Sequence, residues 1–81
     1  MPYIKKEDRE KFDLSSCSLP TNAGELNYLI TVIVHQYITL NGLNYQKLND
    51  VVGALDGAKV EFQRRVVAPY EDSKIKENGD V

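Results

Sequence analysis

The amino-acid sequence predicts an all-α fold in which two helices form an antiparallel hairpin after a short N-terminal segment. Copies of this hairpin are expected to assemble into a homo-oligomeric helical bundle. Three observations lead to this prediction: apolar residues recur at helical spacing in two segments, each segment carries helix start and stop signals, and the faces opposite the apolar stripes carry little charge.

Residues 1–20 are predicted to be an N-terminal arm. Charges of both signs alternate from Lys5 to Lys11, a pattern that favours a short helix with pairs between residues four apart. The stretch SSCSLPT around Pro20 is typical of a connector because small, polar and proline residues interrupt regular structure.

The first helix is predicted to span residues 22–41. Asn22 and Glu25 have the spacing of a capping box, and Asn41-Gly42 is a helix stop signal. The β-branched run ITVIV admits a strand, but steps of three and four residues between apolar positions fit a helix better. The apolar stripe consists of Leu26, Leu29, Ile30, Ile33, Tyr37 and Leu40.

The second helix is predicted to span residues 44–68. It begins at Asn44 and ends before Pro69, because proline disfavours a helical conformation in the residue that precedes it. The polar residues 69–81 are then expected to form an exposed tail, or an arm that orders only against a partner. The apolar stripe consists of Leu48, Val51, Val52, Leu55, Ala58, Phe62 and Val66.

The small size of the chain predicts self-association. A single domain of 81 residues has a core that contributes only a few kcal/mol of net stability. Cys17 is the only cysteine and His35 the only histidine, so neither an intrachain disulfide nor a zinc site of cysteines and histidines can form. A homo-oligomer is therefore expected, with no metal and no cofactor.

The second faces of both helices support this expectation. No Asp, Glu, Lys or Arg occurs between Leu26 and Gln46, yet polar amides interrupt this segment too often for a membrane span of about 20 apolar residues. A second chain is expected to cover the far side of the first helix, which includes Val32. On the second helix, Gly53, Gly57 and Val60 share a face, here called the glycine face, that would let another backbone approach closely.

The glycines also fit a second interpretation. They could tolerate a bend, or they could pack against the N-terminal segment of the same chain. The sequence leaves both interpretations open.

Two adjacent arginines are the first candidates for binding chemistry. Arg65 can pair with Glu61 one turn earlier in the same helix. Arg64 lies on the glycine face, and its planar cation suits a carboxylate or a phosphate. Arg64 could therefore bind an anionic ligand, or it could form an ion pair between subunits with Glu71 or Asp72.

Other residues could complete such a site. Lys59 interrupts the apolar stripe of the second helix, where its stem could lie along the stripe or its ammonium could contact an anion. Tyr28 and His35 share a face of the first helix, although a lone histidine is more often a packing residue than a ligand. The candidate ligand-binding residues are Arg64, Lys59, Tyr28, His35, Tyr70 and Arg65.

No recognisable catalytic motif occurs, whether a serine triad order, a carboxylate pair, HExxH or a glycine-rich phosphate loop. The sequence thus predicts a binding protein and not an enzyme. Ten Lys and Arg against twelve Asp and Glu make nucleic acid an unexpected partner. An N-terminus of mixed charge without an apolar run predicts a cytoplasmic location.

Three stretches of the sequence carry a resemblance: MPYIKKEDREKFD, AGELNYLIT with HQY, and RRVVAPYEDSKIKENGDV. They resemble a family of short uncharacterised proteins encoded by phages, prophages and bacteria, with PYEDSKIKENGD as the most specific part. The resemblance implies a phage or mobile-element setting, and it brings no activity or catalytic residue.

Two functions are expected in that setting. The first is an oligomer that sequesters an anionic, nucleotide-like signal of host defence without chemistry. The second is a helical homo-oligomer that binds a host or phage protein, in which case the arginines are structural.

Overall fold

The computed structural model describes residues 4–12 and 18–81, and each regular element in these ranges is helical. The all-α prediction is therefore confirmed. Residues 15–17 of the predicted connector, including Cys17, lie outside the described residues. The elements are 3-10 turns at Lys6–Asp8 and Glu10–Phe12, helix α1 at Ala23–Asn41, helix α2 at Tyr45–Phe62, a π-helical segment at Gln63–Val67, and helix α3 at Ala68–Asn78.

Helix α1 begins at the predicted cap. Asn22 has extended backbone angles, and its Oδ1 accepts a hydrogen bond from the Glu25 backbone N–H at 2.9 Å. In a capping box the glutamate side chain accepts from the backbone N–H of the capping residue, which is Asn22 here. The Glu25 side chain instead binds the residue before it. Glu25 Oε1 accepts from the backbone N–H of Thr21 at 2.9 Å and from the Thr21 hydroxyl at 3.1 Å. The carboxylate thus fixes the residue before the cap.

This capping arrangement predicts a dependence of helix stability on pH. The hydrogen bonds from the Thr21 backbone and hydroxyl lower the pKa of the Glu25 carboxyl. A carboxyl with a lowered folded-state pKa stabilises the fold above its unfolded value of about 4.3, and this contribution disappears as pH falls through the lowered pKa. We expect wild type to exceed Glu25→Gln in thermal stability at pH 6 and to converge with it below pH 3, as followed by circular dichroism. A difference in thermal stability between wild type and Glu25→Gln that stays constant over this pH range would contradict the capping role of Glu25.

A glycine and a second asparagine separate α1 from α2. Gly42 has a φ of 96° and donates its backbone N–H to the Ile38 carbonyl at 2.8 Å, which ends α1 as predicted. Asn44 Oδ1 then accepts from the Lys47 N–H at 2.9 Å, so the predicted start of the second helix is confirmed.

The predicted end of the second helix is wrong. Helical backbone angles continue through Phe62, Val67 and Ala68, and Pro69 lies in the first turn of α3. Proline is tolerated there because the first N–H groups of a helix have no partner within it. The π-helical segment precedes Pro69, and the Ala68 N–H bonds to the Gln63 carbonyl five residues earlier. Helix α3 consequently replaces most of the expected tail.

Contacts divide the chain into two compact units, Met1–Lys47 and Leu48–Val81. Within the described ranges, neither unit contains a buried residue. Large apolar side chains remain exposed on α1, α2 and α3, including most of both predicted apolar stripes. None of the helices in the described part of the chain combines the length and apolarity needed to cross a membrane.

Candidate anion-binding site

The two arginines lie in the π-helical segment and share one carboxylate. Arg65 Nε is 2.7 Å from Glu61 Oε2, which confirms the predicted pair four residues apart. Arg64 Nη1 is 3.5 Å from Glu61 Oε1. The shorter distance belongs to Arg65, so the Glu61 charge is oriented mainly by that residue.

Arg64 therefore presents a cation that its own helix satisfies only weakly. Its side chain is 71% exposed, and the 3.5 Å contact with Glu61 is at the outer limit of a hydrogen bond. A pair whose cation is exposed to solvent in this way contributes at most about 1 kcal/mol. The guanidinium can accordingly turn to a carboxylate or phosphate that offers two oxygens to its fork.

Lys59 and Tyr70 lie in the same unit as Arg64. The Lys59 side chain is exposed on α2. The Tyr70 ring is already approached by a cation, because Lys74 Nζ is 5.5 Å from its centroid, and Lys74 also pairs with Glu77 at 3.1 Å. A base that stacked on Tyr70 would use the other ring face or displace this lysine.

Tyr28 and His35 belong to the other unit, on α1. Both are exposed, and Tyr28 is 72% accessible. Neither side chain is buried by other described residues. That Tyr28 and His35 complete a ligand site with Arg64 stays a prediction.

The glycine face is open at one of its two glycines. A Cβ built at Gly53 would meet no atom within 4 Å, whereas Gly57 is half-buried. Val60 is 56% exposed and Val32 on α1 is half-buried. Contact of Gly53, Gly57, Val60 and Val32 with another chain stays a prediction.

Sequence reasoning missed the π-helical backbone under the arginines. A π turn inside a helix is rare and frequently marks a functional site, because its wider turn redirects side chains. Pro69, four residues after Arg65, is the sequence signal for this π turn. In a regular α-helix the ring of Pro69 would crowd the carbonyl of Arg65.

Within residues 4–12 and 18–81, no group of three or more His, Cys, Asp or Glu side chains is placed to hold a metal ion. Arg64 and Arg65 place two cations beside the single carboxylate of Glu61. Recognition of an anion by these residues stays a prediction.

Comparison with known proteins gives a family and no function. The family model described as Domain of unknown function (DUF6899) matches residues 1–81, so the chain belongs to this family. No curated protein and no solved structure matches the chain. The expectation of an uncharacterised family is confirmed, whereas the phage setting and the specificity of the C-terminal motif stay predictions.

Proposed function

We propose that this protein binds and sequesters an anionic, nucleotide-like ligand through Arg64, without catalysing a reaction. The observation that carries the proposal is the weakly satisfied cation: the Arg64 side chain is 71% exposed, and its partner Glu61 lies closer to Arg65. A phosphate would supply the two oxygens that the guanidinium lacks.

The binding unit in this proposal is an assembly. In this proposal, copies of the chain combine into a helical bundle. Assembly brings several copies of Arg64 into one structure, which multiplies the positive charge available to a polyanion. In the phage setting that the resemblance implies, the ligand would be a host defence signal captured in the host cytoplasm.

Exposed tyrosines would add recognition of the base. Tyr28, Tyr45 and Tyr70 all present accessible rings, and stacking of a base on an aromatic ring contributes about 1–3 kcal/mol. Because every base has a flat face, stacking favours nucleotides over inorganic phosphate without selecting one base.

Isothermal titration calorimetry tests this function. Wild-type protein is titrated with cyclic dinucleotides, with ADP-ribose and with inorganic phosphate. We expect binding heat from at least one nucleotide and a loss of affinity of at least tenfold in Arg64→Ala, because a charge-assisted hydrogen bond contributes about 1.5–3 kcal/mol. Arg64→Lys should recover only part of the affinity, since lysine lacks the planar fork.

Arg9→Ala is the matched control. It removes the same charge from the N-terminal segment, where Arg9 Nε donates to the Ile4 carbonyl at 3.2 Å. Equal heats for wild type and Arg64→Ala would refute the assignment to Arg64. Absence of binding heat with every nucleotide at high protein concentration would refute the proposed nucleotide-binding function.

Binding of a host or phage protein is the second candidate function. The ordered α3 favours it, because residues expected to form a tail instead present a helix with the exposed apolar side chains Tyr70 and Ile75. The two candidates differ in their response to Arg64→Ala. Arg64→Ala should have the same assembly mass as wild type if Arg64 binds a ligand. It should have a lower assembly mass if Arg64 forms an ion pair between subunits.

A further inference from the structure

Helix α2 carries an apolar seam with the spacing of a coiled coil. Six positions follow one another at alternating steps of four and three residues, which is the heptad pattern that two packed helices use. The five apolar members are all between 43% and 61% exposed, and Lys59 is exposed as well. This heptad seam consists of Leu48, Val52, Leu55, Lys59, Phe62 and Val66.

The order of steps in the heptad seam reads the same in both directions. The intervals from Leu48 to Val66 are four, three, four, three and four residues. A second copy running antiparallel therefore places every seam residue opposite another seam residue. The opposed layers in the regular helix are Val52 with Phe62 and Leu55 with Lys59, and Leu48 lies towards the π-helical segment that contains Val66.

Lys59 selects this antiparallel orientation. A parallel pair in register would place two Lys59 ammonium groups opposite each other in an apolar seam, where like charges repel strongly. The antiparallel pair places each Lys59 against Leu55 of the other copy, beside Asp56. Two lysines and two aspartates then meet at the centre with no net charge.

We propose that a second copy of this chain docks on the heptad seam of α2 in antiparallel orientation, with Lys59 and Asp56 fixing the orientation. The seam, and not the glycine face, is then the primary contact between copies. The pairing does not depend on whether Arg64 binds a ligand, because Arg64 lies outside the seam. Val66 lies in the π-helical segment, so regular heptad geometry extends from Leu48 to Phe62.

A matched pair of valine substitutions tests the surface. Val52 and Val60 are on the same helix and are 61% and 56% exposed, but only Val52 is in the seam. We expect Val52→Asp to raise the dissociation constant at least tenfold in sedimentation equilibrium, and Val60→Asp to leave it within twofold of wild type. The proposal would be overturned if wild type is monomeric at 100 μM. It would also be overturned if only Val60→Asp raises the dissociation constant, or if both variants raise it equally.

Loss of helical circular dichroism in Val52→Asp would make its mass uninformative. Val52→Ala and Val60→Ala then replace the aspartate pair, because alanine has the higher helix propensity and removes only the apolar contact. The same difference between the two positions is expected, with about a threefold to tenfold weaker association for Val52→Ala alone. Equal association of the two alanine variants would overturn the proposal.

A charge exchange tests the orientation. Lys59→Glu places a glutamate beside Asp56 of the other copy, and Asp56→Lys places two lysines together, so each single variant should weaken association at least fivefold. The double variant restores opposite charges and should return to within twofold of wild type. The antiparallel arrangement would be excluded if neither single variant weakens association, or if the double variant associates as weakly as the single variants.

Discussion

The midpoint of thermal unfolding is expected to rise by roughly 4 °C for each tenfold increase in protein concentration. The reason is the absence of a buried residue in either described range, which leaves residues 4–12 and 18–81 of each chain without a core of their own. An unfolding enthalpy of about 0.7 kcal/mol per residue over two chains, together with mass action on a dimer, gives a shift of this size. Apolar area that the single chain leaves exposed is then the main source of stability.

Circular dichroism at 222 nm from 1 to 100 μM measures this shift, with reversibility checked by a second scan. The shift over this range is expected to be roughly 8–9 °C. A midpoint that stays within 1 °C over the hundredfold range would contradict it. Such a protein would be stable as a single chain, and the pairing through α2 would be excluded together with the bundle.

The parts of the fold that depend on neighbouring residues could be predicted from the sequence. The caps at Asn22 and Asn44 and the stop at Gly42 follow from side chains that bond to the backbone within one turn. The Glu61–Arg65 pair follows from the same short-range geometry. Each of these interactions closes over no more than four residues, so no knowledge of the rest of the fold is needed.

The helix beyond Pro69 could not be predicted in this way. A proline in a helical pattern has two outcomes: the chain leaves the helix, or the preceding turn widens and the proline enters a new first turn. The sequence between Phe62 and Tyr70 contains no glycine or asparagine that would separate these outcomes. The direction of the Arg64 side chain thus depends on the π-helical segment, which the spacing of apolar residues does not predict.

The apolar stripes illustrate a further limit. Helical periodicity correctly groups Leu48, Val52 and Leu55 on one face, because residues three and four apart are neighbours on any helix. Periodicity does not state what covers that face. A stripe that packs within a hairpin and a stripe that packs against another copy have the same spacing, and only solution mass separates them.

Two identical substitutions at different glycines are expected to have opposite effects. Gly42→Ala should destabilise the fold by about 1–3 kcal/mol, because a φ of 96° with a ψ of 155° is a backbone conformation that almost only glycine adopts. Gly53→Ala should stabilise it by about 1 kcal/mol, because alanine is the better helix former in the middle of α2. Denaturant unfolding at one fixed protein concentration measures both changes.

Each glycine acts as the control for the other, because a Cβ at either position meets no atom within 4 Å. Steric crowding within the chain therefore cannot explain a difference between them, and backbone conformation alone decides the sign. A loss of stability in Gly53→Ala would mean that another backbone approaches this face closely in solution, as the glycine spacing first suggested. The docking surface would then move from the heptad seam to the glycine face, since a close contact there has no room for a methyl group.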